Sequence, residues 1–254
     1  MSRSNGVALI TGASAGLGVE FARQLAKRGH RLVLAARRKD RLEALAAELG
    51  NARAVAIDLA EAGSAARLVS EVEAAGEHVE MLVNNAGYGL RGKFAELDAA
   101  RQRQMIDLNV GSLTDLCRAV APGMIERQSG AILNVASTAA FQPGPNMAVY
   151  FATKAYVLSF TEALHEELKR HGIKVSALCP GPTRTEFGAV AGFPKEGPFD
   201  RLSADAASVV RAGLAGLDRN KAVVVPGSLN KVGAASTRFV PRPWVRRIAG
   251  AIKY

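Results

Sequence analysis

Apolar runs of four to six residues recur along the chain, separated by longer amphipathic stretches. Val7–Thr11, Arg31–Ala36, Ala52–Ile57, Met81–Asn84, Ala131–Ala136, Lys174–Cys179 and Ala222–Val225 are short and rich in Val, Leu, Ile and Ala. Continuous apolarity predicts strands covered on both faces, as in a parallel sheet. Between them, Gly16–Arg28, Asp40–Leu49, Glu61–Ala75, Ala99–Arg127, Ala148–His171 and Ala204–Leu217 predict helices. This alternation predicts an α/β fold: a doubly wound seven-stranded parallel sheet flanked by helices, with right-handed crossovers. No internal repeat or linker breaks it, so residues 1–226 read as one domain and residues 227–254 as a tail. Pro182–Leu202 escapes the alternation, with Phe187, Phe193 and Phe199 among Gly and Pro. A connection this long in a compact domain is usually a functional lid.

Composition narrows the picture. At 48% hydrophobic over 254 residues, the chain can bury a core and is not disordered. The net charge of +10 is uneven. Eight Lys and Arg and no acidic residue follow Asp218, so residues 1–218 carry only +2. The body shows neither zinc-finger spacing nor an aromatic-rich basic stripe, which argues against nucleic-acid binding. Cys117 and Cys179 fit neither a disulfide framework nor a metal cluster and read as reduced thiols of a cytoplasmic protein. The apolar run after Asn5 is too short for a secretory signal, and no stretch approaches the roughly 20 residues that span a bilayer. In the tail, Trp244, Ile248 and Ile252 share one helical face, with Arg246, Arg247 and Lys253 elsewhere. Such a helix suits a membrane surface, the mouth of a cleft or a subunit contact.

The chemistry begins at Gly12-Ala13-Ser14-Ala15-Gly16-Leu17-Gly18, between the first strand and the first helix. Glycines there permit a tight turn and close approach of a pyrophosphate to free N–H groups at a helix N-terminus. The second strand ends at Ala36 and is followed by Arg37-Arg38, with no acid before Asp40. That point of a dinucleotide fold faces the adenosine ribose. Arginine there favours a 2′-phosphate, whereas an acid would favour a free hydroxyl. Tyr150 and Lys154 lie four apart at a helix start and so share a face. An ammonium beside the phenol favours phenolate and lowers its pKa toward the useful range. Ser137 stands thirteen residues earlier at the end of the fifth strand, where open α/β sheets place their sites. Its hydroxyl can stabilise charge on a substrate oxygen.

In order and spacing, this Gly turn, Asn84-Asn85-Ala86-Gly87, Ser137, Tyr150-x-x-x-Lys154 and Pro180-Gly181 resemble the short-chain dehydrogenase/reductase family in its single-domain branch. The resemblance runs from about Val7 to Val225. It implies a Rossmann-like fold, NADP(H) as cofactor and interconversion of a small-molecule carbonyl and an alcohol. It implies a homodimer or homotetramer. It assigns Asn109, Ser137, Tyr150 and Lys154 to catalysis, with Asn109 holding a water that links Lys154 to solvent. It implies cofactor contacts from Gly12, Ser14, Ala15, Gly16, Leu17, Gly18, Arg37, Arg38, Asp58, Leu59, Asn85, Ala86, Gly87, Tyr150, Lys154, Pro180, Gly181, Thr183 and Thr185. Thr183 departs from the aliphatic residue usual there. An apolar substrate lining is expected from Tyr88, Leu90, Phe94, Phe141, Met147, Phe187 and Phe193, with Arg91 and Arg184 able to meet an anionic group. The alternative is a non-catalytic cofactor sensor or a membrane-surface protein on the same fold.

Overall fold

The computed structural model describes residues 5–194, 197 and 202–251. Phe199, Ile252 and Lys253, named above, lie outside the described residues. Seven strands form one parallel sheet in the order β3-β2-β1-β4-β5-β6-β7. They are β1 (Gly6–Thr11), β2 (Leu32–Ala36), β3 (Ala52–Ala56), β4 (His78–Asn84), β5 (Gly130–Val135), β6 (Ile173–Leu178) and β7 (Val223–Val224). Side chains alternate between the sheet's two faces, and each face has its own core. From β1, Val7 and Leu9 enter one core and Ala8 and Ile10 the other. The first is closed by α3 (Ser64–Ala74), α5 (Leu113–Arg127) and α6 (Ala148–Lys169), through Leu68, Leu116 and Val157. The second is closed by α1 (Gly16–Lys27), α2 (Lys39–Leu49) and α8 (Ala206–Asp218), through Phe21, Leu42 and Leu214.

The strand order reverses between β1 and β4, and the C-terminal ends of the strands there open the crevice in which such sheets bind ligands. The helix expected over Ala99–Arg127 is interrupted. It runs as α4 (Ala99–Ile106), a π-turn over Asp107–Ser112, then α5. Residue periodicity cannot distinguish a π-turn from an α-helix, and such turns concentrate at functional sites. β4 begins three residues earlier than Met81, at His78, because Gly6 and Val7 pair with His78 and Val79. In the connection after β6, α7 (Phe187–Ala191) forms and Thr183 bridges to Ala204. The tail holds α9 (Ser228–Ser236) and α10 (Arg242–Ala251). No helix among the described residues is long and apolar enough to cross a membrane.

Candidate active site

Gly12 takes a left-handed backbone (φ 65°), and a Cβ there would stand 2.8 Å from Asn85 Nδ2. A Cβ on Gly18 would lie 2.2 Å from the Gly12 carbonyl oxygen. A side chain at Gly18 would therefore push the helix off the turn. Ala15 caps α1 without a side-chain hydrogen bond, and Ala15, Gly16 and Leu17 line the cleft, so the positive end of the helix dipole faces it. Thr11, read from sequence only as a strand end, locks this turn to β4. Its Oγ1 accepts from the backbone N–H of Asn85 and of Ala86, each at 3.0 Å, and Asn85 Nδ2 donates to the Thr11 carbonyl at 2.9 Å.

A cleft of about 590 Å³ runs from Arg37, Arg38 and Asp58, past the Gly turn, to Ser137, Tyr150 and Lys154. All the site residues expected from sequence line it except Gly18, which packs under the turn, and Asn109. The donor set fits a dinucleotide phosphate: a helix N-terminus faces the middle of the cleft and arginines stand at one end. Arg38 donates from Nε to Ser14 Oγ (3.1 Å) and from Nη2 to the Ser14 carbonyl (3.2 Å). Arg37 Nη1 lies 3.8 Å from Asp58 Oδ2.

At the other end, the side chains of Ser137 and Tyr150 line the same part of the cleft. Ser137 is fixed by the turn after β5, where its Oγ accepts from the Ala139 N–H at 3.1 Å. Tyr150 lies in the first turn of α6, and its ring meets Phe187 at 5.3 Å between centroids. Lys154, one turn on, is buried. Its Nζ donates to the Val135 carbonyl at 2.7 Å and stands 5.9 Å from the centre of the Tyr150 ring. Burial sets both protonation states. It pushes the phenol up to about 12 and brings the Lys154 ammonium down to about 8. The lowering of Tyr150 expected from its lysine neighbour does not appear: desolvation dominates, and the lowering influence is that of Ser137.

Asn109 sits inside the π-turn with its side chain committed to the protein. Nδ2 donates to the Tyr88 carbonyl (2.9 Å) and to Thr153 Oγ1 (3.1 Å), and Oδ1 accepts from the Tyr88 N–H (3.1 Å). Thr153, beside Lys154, was not singled out from sequence. Of the expected apolar lining, Tyr88, Met147, Phe187 and Phe193 face the cleft. Leu90, Phe94 and Phe141 do not. Phe141 packs on the sheet core, while Leu90 and Phe94 border a separate small pocket, with Phe94 66% exposed. Arg91 stacks over Phe193 at 5.8 Å, and Arg184 is exposed outside the cleft. Glu186, also missed, lines the cleft beside Arg38. Both cysteines are buried free thiols pushed up to about 12 by desolvation. No cluster of metal ligands occurs among the described residues.

Residues 6–192 match the family described as short chain dehydrogenase. The chain is similar to a short-chain dehydrogenase from Sphingobium yanoikuyae solved in complex with NADPH, at 34% identity and TM-score 0.83, covering 98% of this chain and 96% of that one. It is similar to the bulky-bulky ketone specific alcohol dehydrogenase from Comamonas testosteroni, at 30% identity and TM-score 0.77, covering 97% and 94%. It shares 36% identity over 187 residues with an NADP-dependent 3-hydroxy acid dehydrogenase of Salmonella typhi, 72% of this chain and 75% of the relative.

Proposed function

This chain belongs to the short-chain dehydrogenase family of oxidoreductases, and from that membership we propose that it is an NADP-dependent reductase of apolar carbonyl substrates. One observation carries the reading. A single cleft joins a phosphate-binding turn and two arginines to half-buried Ser137 and the buried Tyr150 and Lys154. The relative solved with NADPH and the NADP-dependent relative support the choice of cofactor. When bound, the nicotinamide supplies the hydride.

The chain's own residues do the rest. The α1 N-terminus and the Gly turn hold the diphosphate. Arg37 and Arg38 hold the 2′-phosphate by charge-assisted hydrogen bonds. Ser137 Oγ and the Tyr150 hydroxyl hold the carbonyl oxygen. A phenol kept protonated by burial is in the form reduction needs: it gives its proton to the oxygen as negative charge develops there. Lys154 then returns a proton to Tyr150 and is itself easily discharged, because burial has already weakened its hold on that proton. Asn109 positions Tyr88 and Thr153 around this group. Phe187, Met147 and Phe193 exclude water from the reacting carbon and suit an apolar substrate.

The described part of the tail packs beside the site, although none of its residues lines the cleft. α9 lies over Gly181, where a Cβ would stand 2.6 Å from Asn230 Nδ2, and α10 buries Val245 and Ala249, with its Gly250 beside Pro145. Its adjoining face leaves Trp244 and Ile248 more than half exposed among arginines. Through that face we propose peripheral contact with an anionic lipid surface, tested by vesicle flotation of chains with and without residues 241–254. The family supports a homodimer or homotetramer, which sedimentation reads directly.

The test of the main reading is NADPH and NADH oxidation against a panel of ketones, aldehydes and acyl thioesters. Turnover with bulky apolar ketones and NADPH is expected. Tight NADPH binding with no turnover on any carbonyl would leave the cofactor-sensor reading standing instead.

A further inference from the structure

Glu186 opens the connection that carries Phe187, yet its carboxylate reaches back across the cleft. It accepts from Arg38 Nη1 at 2.9 Å and from Arg41 Nη1 at 2.6 Å. Arg38 is at the same time bound to Ser14 through Nε and Nη2. Thr185 packs on the same turn: a Cβ on Gly16 would stand 3.0 Å from Thr185 Cβ. Three segments remote in sequence therefore meet at Arg38: the phosphate turn, the residues after β2, and the start of the connection over the substrate. Two guanidiniums hold the Glu186 carboxyl below the usual carboxylate range, so it is charged at neutral pH. A ribose 2′-phosphate needs the same guanidinium donors. Placed beside an ionised carboxylate it is repelled unless that carboxylate moves away.

We propose that Glu186 is a latch that reads the ribose 2′ position. It holds residues 185–191 against Arg38 and Arg41, and a 2′-phosphate, but not a 2′-hydroxyl, displaces it. The proposal rests on the NADP reading above and adds a consequence to it. Recognition of the phosphate at one end of the cleft frees the segment whose Phe187 ring packs on Tyr150 at the other. Glu186 lowers affinity for the phosphorylated cofactor and in exchange links its arrival to access at the proton donor. A ligand moves such an equilibrium only by its differential affinity for the two arrangements, and here the phosphate charge supplies the difference.

The test uses adenosine 2′,5′-bisphosphate and 5′-AMP, which differ by the phosphate and carry no nicotinamide. Calorimetry at low salt compares the wild-type chain with Glu186→Gln. Removing a carboxylate that engages two exposed arginines should tighten the bisphosphate about tenfold and leave 5′-AMP within about twofold. The gain should shrink at roughly 0.5 M salt, where exposed charges are screened. Hydrogen exchange in residues 185–191 should quicken when the bisphosphate is added to wild type, stay unchanged with 5′-AMP, and be fast from the start in Glu186→Gln. Equal tightening of both ligands, or no tightening of either, overturns the latch. A wild-type chain that binds the two ligands alike overturns the NADP reading and the latch with it. Discrimination in wild type with a neutral Glu186→Gln overturns the latch alone.

Discussion

At Lys154, removal of the ammonium from water lowers the pKa from 10.5 to about 8, and at Tyr150 burial moves the phenol from 10.0 to about 12. For Lys154 the unfolded chain keeps its proton up to the higher value. Between about pH 8 and 10.5 the unfolded state therefore binds more protons, and stability from this group rises with pH by about 1.4 kcal/mol per unit. Tyr150 contributes the opposite slope between about pH 10 and 12. Urea unfolding of wild type and Lys154→Met at pH 7 and 9.5 isolates the lysine, since the other groups cancel in the difference. Wild type should gain on the Met variant over that interval; a constant difference would refute the buried ammonium. Turnover should fall as pH rises through about 8, because the lysine then lacks the proton it passes to Tyr150. At Arg38, truncation to Ala removes donors to the 2′-phosphate. The preference for NADPH over NADH should drop by about 2–4 kcal/mol, read from dissociation constants, while NADH binding stays close to wild type.

The interruption of the helix between α4 and α5 shows which parts of a site sequence can reveal. The Tyr150–Lys154 pair was legible because a four-residue spacing fixes a shared helical face. The Gly turn was legible because glycines between a strand and a helix mark a tight turn, and the structure sets that turn on the cleft. Asn109 was identifiable by resemblance, but its bonds to Tyr88 and Thr153 follow from the wider π-turn, which leaves no mark in hydrophobic periodicity. Glu186 carried no signal, since its partners lie 145 and 148 residues away. The apolar lining was only half legible: Phe94 and Phe187 look alike in sequence, and only folding places one in solvent and the other on Tyr150. At this scale Asn109→Ala should destabilise the chain by about 1–3 kcal/mol by leaving the Tyr88 N–H unpaired. It should also cut turnover, because Thr153 and Tyr88 lose their common anchor. Asn109→Asp keeps the acceptor but sets a buried carboxylate oxygen against the Tyr88 carbonyl, so it should not recover the stability. A silent Asn109→Ala in both denaturation and kcat would remove its positioning role.

Across the whole molecule, the sheet order opens the cleft on one rim, and the tail packs beside that rim at Gly181 and Pro145. The seven strands and their two covered faces were readable from apolar run lengths, since parallel strands buried on both sides need no alternation. The placement of the tail was not, because a short amphipathic helix packs on whatever apolar surface it meets. Deleting residues 241–254 should leave NADPH affinity unchanged and raise KM for bulky apolar ketones several-fold, with less effect on small aldehydes. Lost NADPH binding in a folded truncation would place the tail at the wrong end of the cleft.

In the proposed reaction the cleft carries hydride to a carbonyl carbon while Tyr150 supplies the proton. Incubation with NADPH deuterated at the transferable position and a bulky ketone, followed by mass spectrometry of the alcohol, tests it most directly. Wild type should place one deuterium on the carbinol carbon. Tyr150→Phe should bind NADPH with wild-type affinity yet form essentially no alcohol. Undiminished deuterated product from Tyr150→Phe, or none from wild type with any carbonyl of the panel, would contradict the account.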